Sequence, residues 1–146
     1  MCQRDPIIVE ESESVTAAAR LMREQHVGYL IVTQPPNAQG ARNVTGVLTD
    51  RDIVVAVVAR EVDPGSVKVG DVMTRSPLLI GEDHSLDAVL CFMRDAGVRR
   101  VPVVGKHSEL LGVLSLDDVL RRMADQLMNV AGSIRSELRT ERLVRP

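Results

Sequence analysis

Two stretches of the same design decide the fold: GVLTDRDI at Gly46–Ile53 and GVLSLDDV at Gly112–Val119. Each has a glycine, a short apolar run, a Ser or Thr, two further residues, an Asp and an aliphatic residue. An apolar run indicates a buried strand, and a hydroxyl residue before a new apolar period indicates a helix N-cap. Each stretch is therefore predicted to be a strand that runs into a helix, with a hydroxyl and a carboxylate at the junction.

The sequence around these stretches also occurs twice. An apolar face with i, i+3, i+4, i+7 spacing begins at Val15 and recurs 71 positions later at Leu86, whereas Gly46 and Gly112 are 66 positions apart. The five-residue difference falls in the Pro- and Gly-containing segment 34–43, as expected for an exposed loop that tolerates insertion. The chain is therefore predicted to consist of two copies of one unit.

Each unit has the predicted order strand–helix–strand–strand–helix. The first copy is predicted as strand Pro6–Val9, a helix from Val15 to about His26, strands Val27–Thr33 and Val44–Thr49, and a helix Asp50–Glu61 with Ile53, Val54, Val57 and Val58 facing inward. The second is predicted as strand Pro77–Ile80, a helix capped by Ser85 and Gly97, strands Val101–Val104 and Leu110–Ser115, and a helix from Leu116.

These elements predict a mixed α/β (α+β) protein of two β-α-β-β-α repeats. Three strands expose too much apolar surface alone, so the repeats should pack on each other about a pseudo-two-fold axis. The predicted divisions are repeat one at 1–62, a linker at 63–71, repeat two at 72–131 and a basic tail at 132–146. In the tail, arginines spaced three and four apart suit a solvated helix face or, alternatively, a partner-binding arm: Arg135, Arg139, Arg142 and Arg145.

Composition limits the classes of function. The net charge is −2 and there are one Tyr, one Phe and no Trp, so neither a basic surface nor an aromatic platform for nucleic acid is expected. The longest apolar run, Ile53–Ala59, is far shorter than a membrane span, and no signal peptide is predicted. Two cysteines make no disulfide framework, which favours a reducing cytoplasm.

The combination resembles the tandem cystathionine β-synthase (CBS) domain pair, in particular small stand-alone bacterial members of the hypoxic response protein type. The resemblance rests on both copies of the Gly-to-Asp stretch, on the lead-in Val72–Thr74 at the start of repeat two and on VRRVPVV at Val98–Val104. It implies two clefts between the repeats, an adenosine-type ligand, a homodimer formed through the CBS-pair helices and a regulatory, non-enzymatic role with an effector protein as partner.

The hydroxyl–Asp pairs have two interpretations. Thr49 with Asp52, and Ser115 with Asp118, have the spacing of a capping box, in which they would only stabilise a helix start. Alternatively, the free N–H groups of the helix start and the hydroxyl bind a phosphate, while the Asp accepts hydrogen bonds from ribose hydroxyls. With the family resemblance, we expect at least one cleft to bind a ligand.

The two copies differ where the second strand of each unit begins. Repeat two has Arg99 and Arg100 at the positions of Gly28 and Tyr29 in repeat one. The resemblance implies that both arginines join Ser115 and Asp118 in a phosphate-binding cleft; alternatively, they are exposed residues that flank a strand. Repeat one would bind a less charged ligand or stay empty. Tyr29 would stack on adenine or pack between the repeats, and Val27 and Val98 complete the predicted ligand-binding set.

The expected ligands are AMP, ADP or ATP, with NAD and S-adenosylmethionine as further candidates. Three carboxylates near the motifs, Asp50, Asp71 and Asp117, disfavour several phosphates unless Mg²⁺ assists. No metal site or catalytic motif is predicted, since the Cys and His residues lack ligand spacing. Cys91 is expected to be buried. The alternative function is a protein-interaction or stress-response module with empty clefts.

Overall fold

The computed structural model describes residues 6–144, and side chains up to residue 141. Cys2, one of the two cysteines, and the tail arginines Arg142 and Arg145 lie outside the described side chains. The strands are β1 (Ile8–Glu10), β2 (Tyr29–Thr33), β3 (Val44–Thr49), β4 (Thr74–Arg75), β5 (Ile80–Gly81), β6 (Arg100–Val104) and β7 (Leu110–Ser115). The helices are α1 (Val15–Gln25), α2 (Asp50–Ala56), α3 (Val69–Val72), α4 (Leu86–Ala96) and α5 (Leu116–Val144), with a 3₁₀ turn at Val58–Arg60.

The strands form two sheets of the same design. The first has the order β1-β2-β3-β4 and the second the order β5-β6-β7. In both, the first pair is parallel and the hairpin that follows is antiparallel, with a register shift at Val32–Thr33 and again at Val103–Val104. The predicted mixed fold of two β-α-β-β-α units is confirmed.

Each sheet has its own hydrophobic core. The inward residues of the central strands pack on the apolar face of the preceding helix, as the period-two and period-3.6 patterns predict. The first core contains Val9, Ala18, Met22, Leu30, Val32, Leu48, Val69 and Met73. The second contains Ile80, Val89, Met93, Val101, Val103, Leu114 and Val119.

The segment between the repeats belongs structurally to the first sheet. Val69 and Met73 are buried in the first core, and β4 pairs antiparallel with β3. The short helix α3, which sequence patterning does not predict, carries Val69 into that core.

The helix ends follow the predicted capping chemistry. Ser14 accepts a hydrogen bond from the Ala17 N–H at 3.1 Å, and Ser85 accepts one from the Ala88 N–H at 3.3 Å. The C-terminal caps of α1 and α4 are His26 and Gly97, both in the left-handed region with φ of 54° and 65°. The Ser85 and Gly97 caps predicted for the second unit are confirmed.

The predicted helix Asp50–Glu61 is wrong in its second half. α2 ends at Ala56, and a 3₁₀ turn follows Val57, whose φ is −114°. Val57 is buried, but Val54 and Val58, which were predicted to face inward, are 55% and 64% exposed. Consecutive β-branched residues lose rotamer freedom in a helix, so this segment has little intrinsic tendency to continue as one.

Two further expectations are also wrong. The strand predicted at Pro77–Ile80 is limited to Ile80–Gly81, because Ser76 has a φ of 49° and Pro77 has no N–H to donate to a ladder. Cys91 is exposed rather than buried. The inward face of α4 carries Val89 and Met93, and Cys91, two positions from each of them, lies on a different face of the helix.

α5 is longer than the elements before it. The helix predicted from Leu116 continues without a break to Val144, so the tail is part of it. Val119 is its one fully buried apolar residue among those described, and every residue from 120 to 141 is exposed.

Two methionines provide a matched test of the second core. Met93 is 1% exposed and Met128 is 73% exposed. We expect Met93→Ala to lower the free energy of unfolding by about 2–5 kcal/mol, because it leaves a cavity in the core. Met128→Ala should change it by less than about 0.5 kcal/mol. Urea titration monitored by circular dichroism measures both, and equal losses would contradict the packing described.

Candidate ligand cleft between the repeats

A cavity of about 590 Å³ lies between the two repeats. The first repeat lines it with the residues just before β1, the segment that leads into β2 and β2 itself, and the second repeat lines it with β6, β7 and the first turns of α5. The lining residues from repeat one are Pro6, Ile7, His26, Val27, Gly28, Tyr29 and Ile31. Those from repeat two are Arg100, Val113, Ser115, Asp117, Asp118 and Arg121. This volume is in the range of sites for small organic ligands.

Local folding fixes the hydroxyl and the carboxylate on one side of the cavity. Ser115 ends β7 and lies opposite Arg100 in the antiparallel register. Its hydroxyl donates to Asp118 Oδ2 at 2.6 Å and accepts from the Asp118 N–H at 3.1 Å. The helix start therefore holds the Asp118 carboxylate at the cavity wall.

The equivalent group in repeat one forms a complete capping box. The Thr49 N–H and hydroxyl both donate to Asp52 Oδ2 at 2.8 Å, and the Asp52 N–H donates to Thr49 Oγ1 at 3.2 Å. Both predicted N-caps are confirmed.

The carboxylates of Asp52 and Asp118 accept different numbers of hydrogen bonds. Within residues 6–144, Asp118 accepts from the Ser115 hydroxyl but not from the Ser115 N–H, so it receives one hydrogen bond fewer than Asp52. Its other oxygen, Oδ1, lies 3.9 Å from an Arg121 guanidinium nitrogen. Asp118 thus keeps more acceptor capacity for a ligand.

The two adjacent arginines have different positions. Arg100 lines the cavity, whereas Arg99 is not among the lining residues and its side chain is 78% exposed. Asp117 lies 3.5 Å from Arg99 and 3.9 Å from Arg100, so one carboxylate faces both guanidinium groups. Its negative charge reduces the positive potential that the arginine pair presents to the cavity.

Tyr29 forms the opposite wall from repeat one. The Arg100 guanidinium carbon lies 6.0 Å from the centre of the Tyr29 ring, at the outer limit of a cation–π contact. Burial raises the pKa of the Tyr29 hydroxyl well above its usual range, and the nearby positive charge of Arg100 partly opposes this rise. The cavity therefore contains a neutral phenol and one face of an aromatic ring.

The cavity contains six of the ten residues predicted to bind a ligand. These are Val27, Gly28, Tyr29, Arg100, Ser115 and Asp118. The other four, Val98, Arg99, Thr49 and Asp52, are not among the lining residues, and Val98 packs against the second core.

Sequence reasoning missed several lining residues. Arg121 could have been found, because i, i+3 spacing places it on the same helix face as Asp118. Pro6 and Ile7 reach the cavity because β1 pairs in parallel with β2, a long-range contact that no local pattern indicates.

Residues 6–144 contain no group of three or more His, Cys, Asp or Glu side chains arranged to hold a metal ion. Within the same part of the chain, no helix has the length and apolar character needed to cross a membrane.

This architecture, a pair of repeated units around a shared cleft, is that of a CBS-pair protein. The CBS domain family model matches residues 1–59 and again residues 69–125, and the chain belongs to the CBS domain family.

The relatives include hypoxic response protein 1 of Mycobacterium tuberculosis, which is 34% identical over 117 residues, covering 80% of this chain and 78% of that protein. A crystal structure of hypoxic response protein I with two coordinated zinc ions has a TM-score of 0.70 and 32% identity, and the match covers 82% of this chain and 92% of that one. The expected resemblance to this type is confirmed.

More distant members differ in length and identity. A Methanopyrus kandleri protein, MK0525, is 27% identical over 83% of this chain, which spans only 59% of that protein. The CBS domain pair of protein MJ0100, in complex with 5′-methylthioadenosine and S-adenosylmethionine, has a TM-score of 0.68 and 24% identity over 84% of this chain and 94% of that one. At this identity the likeness shows the fold alone.

Tyr29 is the only tyrosine in the chain, so the tyrosinate absorbance of the protein reports the ionisation of this one hydroxyl. In the native protein, tyrosinate absorbance should rise at a higher pH than in denaturant, where the midpoint is about 10. Because the unfolded chain loses this proton first, stability should fall as the pH rises above about 10. Arg100→Gln should raise the native midpoint further, and Arg99→Gln should leave it unchanged. Equal midpoints in native and denatured protein would contradict a buried Tyr29 hydroxyl.

Proposed function

We propose that this protein is a non-enzymatic regulatory module that binds an adenosine-type nucleotide in the cleft between its repeats. The observation that carries the proposal is the grouping of Tyr29, Arg100, Ser115 and Asp118 around one cavity of about 590 Å³. These residues come from both repeats, and each supplies chemistry that one part of such a nucleotide requires.

Asp118 is suited to the ribose. A carboxylate accepts two hydrogen bonds from a vicinal diol, and Asp118 is held at the cavity wall by the Ser115 hydroxyl. The apolar walls, with Ile7, Ile31 and Val113, and the ring of Tyr29 are suited to a flat base.

The charge of the cleft favours a ligand with few phosphates. Arg100 and Arg121 are balanced by Asp117 and Asp118 around the cavity. AMP requires only one guanidinium group for its phosphate, whereas ADP and ATP bring further negative charge towards Asp117 and would need Mg²⁺. NAD and S-adenosylmethionine remain in the proposed ligand set, since the positive sulfonium of the latter complements Asp117.

The predicted residues that do not line this cavity are the basis of a separate proposal, a second cleft. Thr49 and Asp52, with Val98 and Arg99, would contribute to the pseudo-symmetric cleft. The Asp52 carboxylate is already occupied by a full capping box, which favours a mainly structural role or a less charged ligand there.

The proposed regulatory step follows from the composition of the cleft. A ligand that contacts both repeats biases their relative orientation, and only differential binding to two orientations can do so. We propose that this change is transmitted through a homodimer, formed through helices of the CBS pair, to an effector protein in the cytoplasm.

A second candidate is a protein-interaction or stress-response module with empty clefts. It is favoured by the pairing of the polar groups with one another, since Ser115 bonds Asp118 and Arg100 lies 3.9 Å from Asp117.

A nucleotide panel separates these two functions. We expect AMP to raise the melting temperature by roughly 5–10 °C at a hundredfold excess over Kd, because it binds only the folded state. ADP, ATP with and without Mg²⁺, NAD and S-adenosylmethionine complete the panel, and 2′,3′-dideoxy-AMP is the control without the diol. If no nucleotide shifts the melting temperature, the empty-cleft function is the correct one.

Two matched carboxylate variants locate the ribose. Asp118→Asn should weaken AMP binding about tenfold or more, since a hydrogen bond to a charged acceptor is lost. Asp52→Asn makes the same chemical change in the hydroxyl–Asp pair of repeat one, outside this cavity, and should leave the affinity of this cleft for AMP within about threefold. Calorimetry measures both, and an equal loss in the two variants would contradict the assignment.

Arg100→Gln tests the phosphate. It should weaken AMP binding about tenfold and adenosine binding much less, because only AMP carries the charge that Arg100 binds. Arg99→Gln, outside the cavity, is the control. A similar loss for AMP and adenosine would show that Arg100 acts on the base or the fold instead.

A further inference from the structure

The part of α5 that follows Val119 is amphipathic and exposed to solvent in the described residues. Its residues 120–141 are all exposed, yet they include large apolar side chains. A helix that leaves this much of its apolar face exposed has little stability in water, because packing of an apolar face supplies most helical stability. The helix therefore requires a partner.

Six of the large apolar residues of this helix form one narrow stripe, and Met128 lies outside it. Their spacing alternates between three and four up to Ile134, and Leu138 extends the row by one further turn; we call these residues the α5 stripe. They are Leu120, Met123, Leu127, Val130, Ile134 and Leu138, and they are 49–70% exposed. This spacing is that of a coiled-coil contact, so the surface fits another helix of similar length.

The opposite face of α5 is polar. It carries Asp125, Asn129 and Ser136, while Ala124 and Ala131 flank the α5 stripe. Small flanking residues allow a close approach of two helix backbones. The helix lacks aromatic residues and has both acidic and basic groups, which favours a protein partner over a lipid surface.

We propose that the α5 stripe is an interface with the same helix of a second copy of this chain, packed antiparallel. Among the described helices of one chain none can serve, because α1 and α4 have 11 residues each and bury their apolar faces in the two cores. The α5 helix of a second copy has the required length and spacing, and a two-fold axis makes the contact self-complementary.

The area is sufficient for a stable dimer. At roughly 100 Å² for each exposed aliphatic side chain, the α5 stripe offers about 350 Å² of apolar surface per copy. Specific interfaces bury about 600–1,000 Å² per partner, a little over half of it apolar, so the stripe reaches the lower part of this range.

Charge decides the orientation. Glu137 and Glu141 follow Ile134 at the next positions of the three–four spacing. In a parallel pair each glutamate would lie beside its own copy, which is repulsive. In an antiparallel pair centred on the α5 stripe, the two copies of each glutamate are separated by at least about 25 Å along the axis, which removes this repulsion.

The interface extends beyond what the family supplies. The CBS family match ends at residue 125, whereas four residues of the α5 stripe lie after it. The proposed ligand cleft uses α5 only up to Arg121, so the dimer and the ligand can be tested separately.

Cross-linking of full-length protein tests the contact. In a background of Cys2→Ser and Cys91→Ser, Val130→Cys lies near the centre of the stripe and should give a covalent dimer with a short bismaleimide. Ser136→Cys, on the polar face, should not. Leu138→Cys should not either, because antiparallel packing separates its two copies by about 28 Å along the axis. Absence of the Val130→Cys product, or equal yields from Val130→Cys and either of the other variants, would overturn the proposal.

Sedimentation supplies the matched comparison. Leu127→Glu with Ile134→Glu places two charges in the stripe and should lower the assembly mass by a factor of two. Asn129→Glu with Ser136→Glu adds the same charge to the opposite face and should leave the mass unchanged. A wild-type chain that sediments as a monomer at all concentrations would overturn the dimer. Both variants should keep the wild-type response to AMP, so a failed nucleotide panel would leave this interface unaffected.

Discussion

The antiparallel register of the two hairpins places the chemical groups of the cleft. Tyr29 pairs with Thr49 and Arg100 with Ser115, so the first residue of each second strand lies opposite the hydroxyl that ends the third. A slip of one residue would turn every side chain of a strand to the other face and remove both the core and the cleft. The buried aliphatic residues that follow in each strand, such as Leu30 and Val101, prevent this slip.

The same motif has acquired two environments in one chain. Thr49 and Asp52 satisfy each other fully at the start of α2, which stabilises a short helix that ends after seven residues. At the start of α5, the Ser115–Asp118 pair is less fully bonded and faces the wall built by repeat one. Equal sequence spacing therefore produced an N-cap in both copies, whereas the hydrogen bonds to the carboxylate and its exposure to the cavity differ.

Local chemistry accounts for what the sequence could predict. The faces of α1 and α4, the Ser85 and Gly97 caps and the bounds of β3 and β7 all depend on residues within a few positions of one another. The break at Val57 and the shortened β5 depend on backbone conformation at single residues, which periodicity does not report. The cleft depends on how the two repeats face each other. This long-range arrangement places Arg100 but not Arg99 in the cavity and adds Ile7 to its lining.

The segment between the repeats has a consequence for dissecting the protein into parts. Val69 and Met73 complete the first core, and β4 covers the edge of β3 with antiparallel hydrogen bonds. A fragment that ends before Val69 would have an incomplete core and an open strand edge, and such edges pair readily with other chains. A fragment that ends after Arg75 retains both, so gene truncation and limited proteolysis should yield a stable first half only when residues 69–75 remain attached to it.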